Sequence, residues 1–538
     1  MYTSLNGKMY SIMRKDDDGI RLSKEIFIGG TMGQLDKIFE IGRELKELSV
    51  EGSRLAWVQY TVGYDFGIEE SHKKMNEFLK DKVRYNTVLE HRALDLSDDD
   101  RRRIELVYKI FEPYHKSDEI NQLNEVIQKK TNELSMILNT FRFKLDGKEV
   151  TSIELTQILN NSDDRDLRKK AYLAKNQINK PMIDAGFLVL VNMRKEMATL
   201  NGFDSFVDFK LYQEDLSRDI FKTWKEEVNE VLPKMNEKRK EYAKKFLNDD
   251  KILPWDESYV SNKIAPSLSK KVNMLEYYTH VSNLFEKFGY KLDDYNITYD
   301  VFSRQNKSEW GYNFPIEVAK DSRILANVKD RFYEYGVLLH ETGHGVHSFL
   351  KNPDEVLMNF GVNGIVTEGI ANLFGSLLLD ETFFSTFFDE DLQVARKEFK
   401  EIKEWNKMNA LRTVSRILFD QEFYHTDNKS LEDVYDMYWK INGEILGSEK
   451  GDYEPPWAFL IHHTTHPIYL HNYFMGDVTC EMLAGVFKEK HQVEGITDKP
   501  LEFGDFLYEQ VIKPSGRYNY SELFERISGE PFSLRFIK

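Results

Sequence analysis

The chain has 538 residues, of which 41% are hydrophobic and 30% are charged, and its formal net charge is -16. This composition is typical of a globular protein, and the basic residues are interleaved with acidic ones, so we expect no nucleic-acid partner. The single cysteine, Cys480, excludes an internal disulfide and a cysteine-rich zinc site.

The amino-terminal residues, MYTSLNGKMYSIMRKDDDG, lack the continuous apolar run of a signal peptide. No later stretch approaches the length of a membrane span. We therefore expect a cytoplasmic protein that has no membrane partner. The sequence does not give the oligomeric state.

Helical periodicity dominates the chain, because apolar residues recur at intervals of three and four. Thr151, followed three residues later by Glu154, has the pattern of a capping box at a helix start. The clearest amphipathic stretches are residues 34–46, 118–142, 166–200 and 221–247. The pattern predicts a mainly α protein.

Strand signals are few. The clearest is an edge-like apolar run at residues 323–328, and a weaker one lies at residues 299–303. They predict one small β-sheet directly upstream of a histidine-rich helix. We expect one continuous folded unit with an amino-terminal helical lobe, residues 1–250, and a catalytic lobe, residues 251–538.

The segment YGVLLHETGHGVHSFL contains a metal-binding pattern. His340 and His344 are four residues apart, so on a helix both imidazoles project from one face and can bind one zinc ion. Glu341 can hold and deprotonate a zinc-bound water as general base. Gly343 and Gly345 each cost about 1 kcal/mol inside a helix, which indicates that another backbone or a ligand comes close.

A second helical run, residues 364–379, supplies the candidate third ligand. Glu368 lies nearly opposite the apolar stripe of this run, where a carboxylate is costly unless it is paired or bound to metal. We therefore predict Glu368 as a zinc ligand. Asn372, one turn further on, can accept a hydrogen bond from a ligand imidazole.

The extended motif HETGHGVH, with a third histidine at His347, resembles the thimet oligopeptidase and oligoendopeptidase F family of zinc peptidases. Residues 145–174, 457–476 and 518–532 are similar to other segments of that family. The resemblance implies a two-lobed helical body with a deep substrate channel. It further implies one zinc ion per chain on the channel floor and short unstructured peptides as substrates.

By position, the resemblance makes His340, His344 and Glu368 the zinc ligands and Glu341 the general base. Family members often have a further acid seven residues after the third ligand, and this chain has Gly375 there. The surroundings of the ligands are therefore expected to differ from the family pattern.

A segment rich in histidine and tyrosine follows the metal motif. Peptide hydrolysis needs donors aimed at the developing oxyanion, and the resemblance assigns this role to a His and one or two Tyr of the segment. Matching through its Trp-Ala pair selects His462, whereas matching on its Tyr-Phe pair selects His463. We favour His462, together with Tyr469 and Tyr473.

The predicted function is a zinc-dependent oligopeptidase that hydrolyses internal bonds of short peptides. We expect the substrate to lie antiparallel along the strand at residues 324–328. One alternative is a carboxydipeptidase, because the 24-residue spacing from His344 to Glu368 and the EGIAN run also resemble angiotensin-converting enzyme. The other is a non-catalytic peptide-binding protein of the same fold.

Overall fold

The computed structural model describes residues 35–308 and 311–538, together with the backbone of three short strands in the first 34 residues. As predicted, the fold is mainly α. The helices of the first half, in chain order, are α1 (Asp36–Val62), α2 (Ile68–Leu79), α3 (Lys82–Arg92), α4 (Asp98–Phe111), α5 (Asp118–Thr140), α6 (Ser152–Asn161), α7 (Arg165–Ala174), α8 (Asn179–Asp184), α9 (Phe187–Leu200), α10 (Phe206–Gln213) and α11 (Trp224–Leu247). Those of the second half are α12 (Glu257–Ile264), α13 (Tyr277–Lys287), α14 (Glu334–Leu350), α15 (Val356–Asn359), α16 (Gly364–Ser376), α17 (Glu381–Phe384), α18 (Leu392–Glu422), α19 (Leu431–Leu446), α20 (Leu470–His491), α21 (Pro500–Leu507) and α22 (Tyr520–Ser528).

The helix ends follow local chemistry. The predicted capping box is present before α6, where the Thr151 hydroxyl accepts from the Glu154 N–H at 3.2 Å and the Glu154 carboxylate accepts from the Thr151 N–H at 2.7 Å. The amphipathic stretch 166–200 is divided into α7, α8 and α9. Gly186, at φ +93°, stands directly before α9, and its lack of a Cβ permits this left-handed conformation.

The strands form three small sheets. They are β1 (Tyr2–Leu5), β2 (Lys8–Ile12), β3 (Leu22–Ser23), β4 (Phe143–Leu145), β5 (Lys148–Val150), β6 (Ile297–Asp300), β7 (Tyr312–Glu317) and β8 (Asp321–Leu325). The first three strands form one antiparallel sheet, and β4 pairs with β5. The third sheet, in the order β6-β8-β7, packs against α14.

β8 is the central strand of the sheet beside α14. Ile324 pairs with Tyr299 on its parallel side and with Asn313 on its antiparallel side. The prediction that residues 324–328 form an open edge is therefore wrong, because a central strand uses its main-chain groups on both sides. β7 is an edge strand: among the described residues it pairs with β8 alone. It also contains Pro315, a residue type that sheets tolerate at edges.

Among the described residues, three buried clusters hold the elements together. The largest contains residues from Leu134 to Ile537, and the second consists mainly of residues of α1 to α4 with Leu357 of α15. The third joins Trp57 of α1 to Ile316 of β7 and Leu325 of β8. The division into lobes at residue 250 stays a prediction. Within the described part of the chain, no helix is both long enough and apolar enough to cross a membrane. The cytoplasmic location also stays a prediction.

Candidate metal centre

Two glycines of α14 lie where other elements approach closely, Gly343 against α16 and Gly345 against the sheet. A Cβ added at Gly343 would lie 3.2 Å from the Ala371 Cα and 3.1 Å from the Phe374 ring of α16. A Cβ added at Gly345 would lie 3.2 Å from Ile297 in the sheet. The expectation that another backbone approaches these glycines is thus confirmed for Gly343. This close contact brings α14 and α16 together next to their polar residues.

The structure brings the three predicted ligands together. His340 Nε2 lies 3.6 Å from one Glu368 carboxylate oxygen, and His344 Nε2 lies 3.7 Å from the other. The three ligand atoms lie within 4.8 Å of one another, and no second group of this kind exists in the part of the chain described. Atoms bound to one tetrahedral zinc ion at 2.0–2.1 Å are separated by roughly 3.3 Å, so this arrangement fits the ion with little adjustment.

Burial keeps both histidines in the form that a metal requires. It lowers the pKa of His340 to about 4 and that of His344 to about 3, so each imidazole is neutral near pH 7 and retains a lone pair. Two imidazoles and a carboxylate are the protein donor set of many catalytic zinc sites, which leave a fourth position for water or substrate.

Glu341 lies beside this group and is only 7% exposed. Its burial, with a smaller contribution from the charge on Glu368, raises the pKa of Glu341 to about 8. A Cβ added at Gly311, the residue before β7, would lie 3.3 Å from the Glu341 carboxylate. The glycine thus leaves room next to this carboxylate, at the point where the edge strand begins.

Asn372 of α16 contacts a residue of a third helix, α20. Its amide nitrogen donates to the Asp477 carboxylate of α20 at 3.0 Å. Burial, with the charges on Glu481 and Glu368, raises the pKa of Asp477 to about 7. The hydrogen bond predicted from Asn372 to a ligand imidazole stays a prediction.

The predicted oxyanion donors form a cluster near the metal ligands. The rings of His462, Tyr469 and Tyr473 have centroid separations of 5.5–5.9 Å, and both tyrosines are nearly half exposed. Burial raises the pKa of each tyrosine, and the charge on Glu368 adds to the effect. The hydroxyl groups are therefore protonated and can donate hydrogen bonds, and the charge of Glu368 acts on both of them.

His463, the alternative donor, lies elsewhere. It is 3% exposed, its ring packs against Phe419 with a centroid separation of 5.0 Å, and its Nδ1 lies 3.2 Å from the Trp457 carbonyl oxygen. The structure therefore separates the two adjacent histidines: His462 faces the tyrosines, and His463 is part of the core.

Two buried charged residues fix the segment that precedes Tyr469. The Arg194 guanidinium of α9 donates to the carbonyl oxygens of Thr464 and Thr465, at 2.7 and 3.3 Å. The Asp420 carboxylate of α18 accepts from the Ile468 N–H at 2.6 Å. Ile468 has φ +53°, which is rare for a β-branched residue and stores strain where the chain turns into α20.

Sequence reasoning did not identify Arg194, Asp420 or Asp477. Polar neighbours concealed two of them, since Arg194 is followed by Lys195 and Glu196, and Asp420 is followed by Gln421 and Glu422. The sequence also does not show which residue each of them contacts, because each of these hydrogen bonds joins residues more than 45 positions apart.

Comparisons with known proteins agree with this fold and site. A crystal structure of an M32 carboxypeptidase from Deinococcus radiodurans R1 has a TM-score of 0.64 and 13% sequence identity, over 94% of this chain and 97% of that chain. At this identity the likeness concerns the fold alone. No curated protein sequence matches the chain. The model of peptidase family M3 matches residues 158–536, well over half of the sequence, which confirms the resemblance seen in the motifs. The chain therefore belongs to peptidase family M3 and is a metallopeptidase.

Proposed function

We propose that this metallopeptidase uses zinc and hydrolyses internal bonds of short unstructured peptides. The observation that carries the proposal is the convergence of His340, His344 and Glu368 beside the buried carboxylate of Glu341. These three residues would hold the ion. Zinc, when bound, supplies a Lewis acid that polarises the substrate carbonyl and lowers the pKa of the attacking water.

The substrate main chain would pair with the edge strand β7. This replaces the earlier expectation for residues 324–328, whose strand is central in the sheet. Support comes from the position of β7 at the end of its sheet, where only β8 pairs with it among the described strands. Further support comes from the start of β7, where Gly311 lies next to the Glu341 carboxylate. Pairing through main-chain hydrogen bonds gives affinity with little dependence on side chains, as a peptidase of broad specificity requires.

The protein groups have complementary roles in this proposal. A cation held by the three ligands would favour the ionised form of Glu341, which accepts the proton of the attacking water and then gives it to the leaving amine. The hydroxyl groups of Tyr469 and Tyr473 and the imidazole of His462 donate to the oxyanion that develops on the substrate carbonyl. The partial exposure of both tyrosines and the effect of the Glu368 charge on their pKa values support this assignment.

The Glu341→Gln variant tests the mechanism. Gln keeps the size of the side chain but cannot accept a proton, so we expect kcat to fall by about 10²–10⁴-fold while one zinc ion per chain is retained. Glu334→Gln, the same change in the first turn of α14, is the matched control and should keep its activity. Undiminished cleavage of a quenched oligopeptide by the Glu341→Gln variant would contradict the proposal.

Carboxydipeptidase action is the second candidate, since the structural neighbour is described as a carboxypeptidase. In the same assay an unblocked decapeptide and its amidated form separate the two candidates. An internal cut in both peptides supports the endopeptidase, and loss of cleavage on amidation supports the dipeptidase. Absence of both zinc and cleavage in the wild-type protein would favour a non-catalytic peptide-binding protein.

A further inference from the structure

The sheet beside α14 is enclosed between two helices. A Cβ added at Gly345 of α14 would lie 3.6 Å from the Asn313 amide of β7, so α14 covers the face to which Asn313 points. Side chains alternate along a strand, and Tyr312 and Phe314 therefore point to the opposite face. There Phe314 packs edge-to-face on Trp57 of α1, with a centroid separation of 5.5 Å. The edge of β7 on which no described strand lies thus has α1 on one side and α14 on the other.

α1 runs along β7 in the opposite direction. Near the end of the helix, the Tyr60 ring contacts the rings of Tyr312 and Phe314 edge-to-face, with centroid separations of 5.2 and 5.5 Å. Two turns earlier in the helix, the Arg54 guanidinium lies 3.9 Å from the Glu317 carboxylate at the end of β7. The last turns of α1 therefore lie beside the first residues of β7.

Two hydrogen bonds fix the end of α1 to the segment that leads into β7. The Ser308 N–H donates to the Tyr60 carbonyl oxygen at 2.8 Å, and the Arg304 guanidinium donates to the Thr61 carbonyl oxygen at 2.6 Å. The side chain of Tyr60 nevertheless stays 38% exposed. A ring that is held in place and keeps free surface can receive another apolar side chain at little cost in conformational entropy.

The first residues of β7 lie at the proposed point of cleavage. Gly311, directly before Tyr312, lies next to the Glu341 carboxylate, and β7 leads away from it. A substrate strand that pairs antiparallel with β7 therefore runs towards Glu341 and places the residues before the cleaved bond along β7. Their side chains alternate between the α1 side and the α14 side. On the α1 side they meet Tyr60 and Tyr312.

We propose that Tyr60 and Tyr312 form a subsite that selects an apolar, preferably aromatic, side chain within three residues on the amino-terminal side of the cleaved bond. The inference rests on the proposed function, since it uses cleavage at Glu341 and pairing along β7. Aromatic pairs on neighbouring strands are favourable, and edge-to-face contacts add to the gain from burial. An acidic side chain at this place would lose water against the rings.

The experiment measures kcat/KM of the full-length enzyme for quenched peptides that carry Phe or Ala at each of the three positions before the cleaved bond. Mass spectrometry locates the cuts. We expect the wild type to prefer Phe by about tenfold at one of these positions. The Tyr60→Ala variant should reduce this ratio to below about threefold, whereas Tyr60→Phe should keep it. Tyr64→Ala, at an exposed position beyond the end of α1, is the matched control and should also keep it.

The ratio of the two kcat/KM values separates a subsite from a merely structural role. Partial unfolding of a variant lowers cleavage of both peptides equally and leaves the ratio unchanged. A Tyr60→Arg variant extends the test, because an arginine at this partly exposed position keeps its charge in water. We expect it to favour Glu over Ala at the same position by about 2–5-fold relative to the wild type.

Three outcomes would overturn the inference: equal kcat/KM for the Phe and Ala peptides in the wild type, a wild-type ratio in Tyr60→Ala, or no gain for Glu in Tyr60→Arg. Internal cuts without the preference for Phe leave the proposed function standing. A preference for Phe with cuts only at the carboxyl-terminal dipeptide contradicts the oligopeptidase and supports the subsite. A wild type that cleaves none of the peptides overturns both.

Discussion

At the scale of single residues, burial gives neighbouring side chains opposite properties. His462 and His463 are adjacent in the chain, but one lies with two exposed tyrosines and the other is enclosed by Phe419 and Trp457. Burial lowers the pKa of His463 to about 3. A neutral imidazole suits a core position, since ionisation there would leave a charge without solvent.

This difference predicts a pH-dependent stability. Below pH 6.5 the unfolded chain binds a proton at His463, whereas the folded protein binds it only near pH 3. The contribution of this histidine to the free energy of unfolding is therefore fully present above pH 6.5. It decreases by about 1.4 kcal/mol per pH unit as the pH falls towards 3. Replacing it with glutamine, which does not titrate, should reduce the slope of unfolding free energy against pH.

The measurement is chemical denaturation of the wild type and the His463→Gln variant at several pH values from about 7.5 down to about 4.5. At neutral pH the variant should be less stable by about 1–3 kcal/mol, because the contact between His463 and the Trp457 carbonyl is lost. As the pH falls, the difference in unfolding free energy between the wild type and the variant should decrease. Parallel curves would show that His463 is not the titrating group.

At the scale of elements, the metal centre depends on how closely α14 and α16 pack. His340 and His344 are on α14 and Glu368 is on α16, so their spacing follows the distance between the two helices. Gly343 lies at the contact, where an added Cβ would meet both a backbone atom and a ring of α16. Neither partner is the flexible end of a long side chain, so the helices themselves would have to move.

Gly343→Ala should therefore destabilise the protein although alanine favours helix. Overpacking costs about 1–3 kcal/mol, which exceeds the gain of about 1 kcal/mol in helix propensity. Zinc affinity should also fall, as the ligands move apart. Gly52→Ala is the matched control, since that helical glycine of α1 has only the Ser71 hydroxyl nearby, at 3.4 Å.

Urea denaturation and chelator competition measure the two effects on each variant. The control should be unchanged or more stable by up to about 1 kcal/mol, with unaltered zinc binding. Equal or improved stability of the Gly343→Ala variant would mean that the helices separate easily and that their contact does not define the site.

The elements also show how far the sequence could predict the structure. Periodicity and capping located α1, α5, α6 and α11, because these signals are local. The HETGH motif, and the carboxylate of Glu368 in a largely apolar helix, identified the residues that the structure brings together. The position of β8 within its sheet could not be predicted, since an apolar run does not reveal how many strands pair with it. Asp477 was missed because its hydrogen bond with Asn372 arises only from the contact between α16 and α20.

At the scale of the whole molecule, one turn connects the two largest buried clusters. Asp215 forms ion pairs with Arg102 and Lys109 of α4, which belongs to the second of these clusters. Its neighbour Glu214 hydrogen-bonds His471 of α20 at 2.8 Å, and α20 packs against the metal-site helix α16. The turn at residues 214–215 therefore links the amino-terminal helices to the catalytic centre.

Asp215→Asn should weaken this link. Asp215 has φ +60°, which asparagine also tolerates, so the change removes the charge while keeping the turn. The three charged side chains are 17–29% exposed, so we expect a loss of about 1–3 kcal/mol in unfolding free energy, below the cost of breaking a fully buried pair.

Asp146→Asn is the matched control. Asp146 also has a positive φ, but its pair with Lys170 is about 60% exposed and should contribute less than about 0.5 kcal/mol. Urea denaturation measures both variants. Equal losses would show that the amino-terminal helices are held by apolar packing rather than by Asp215.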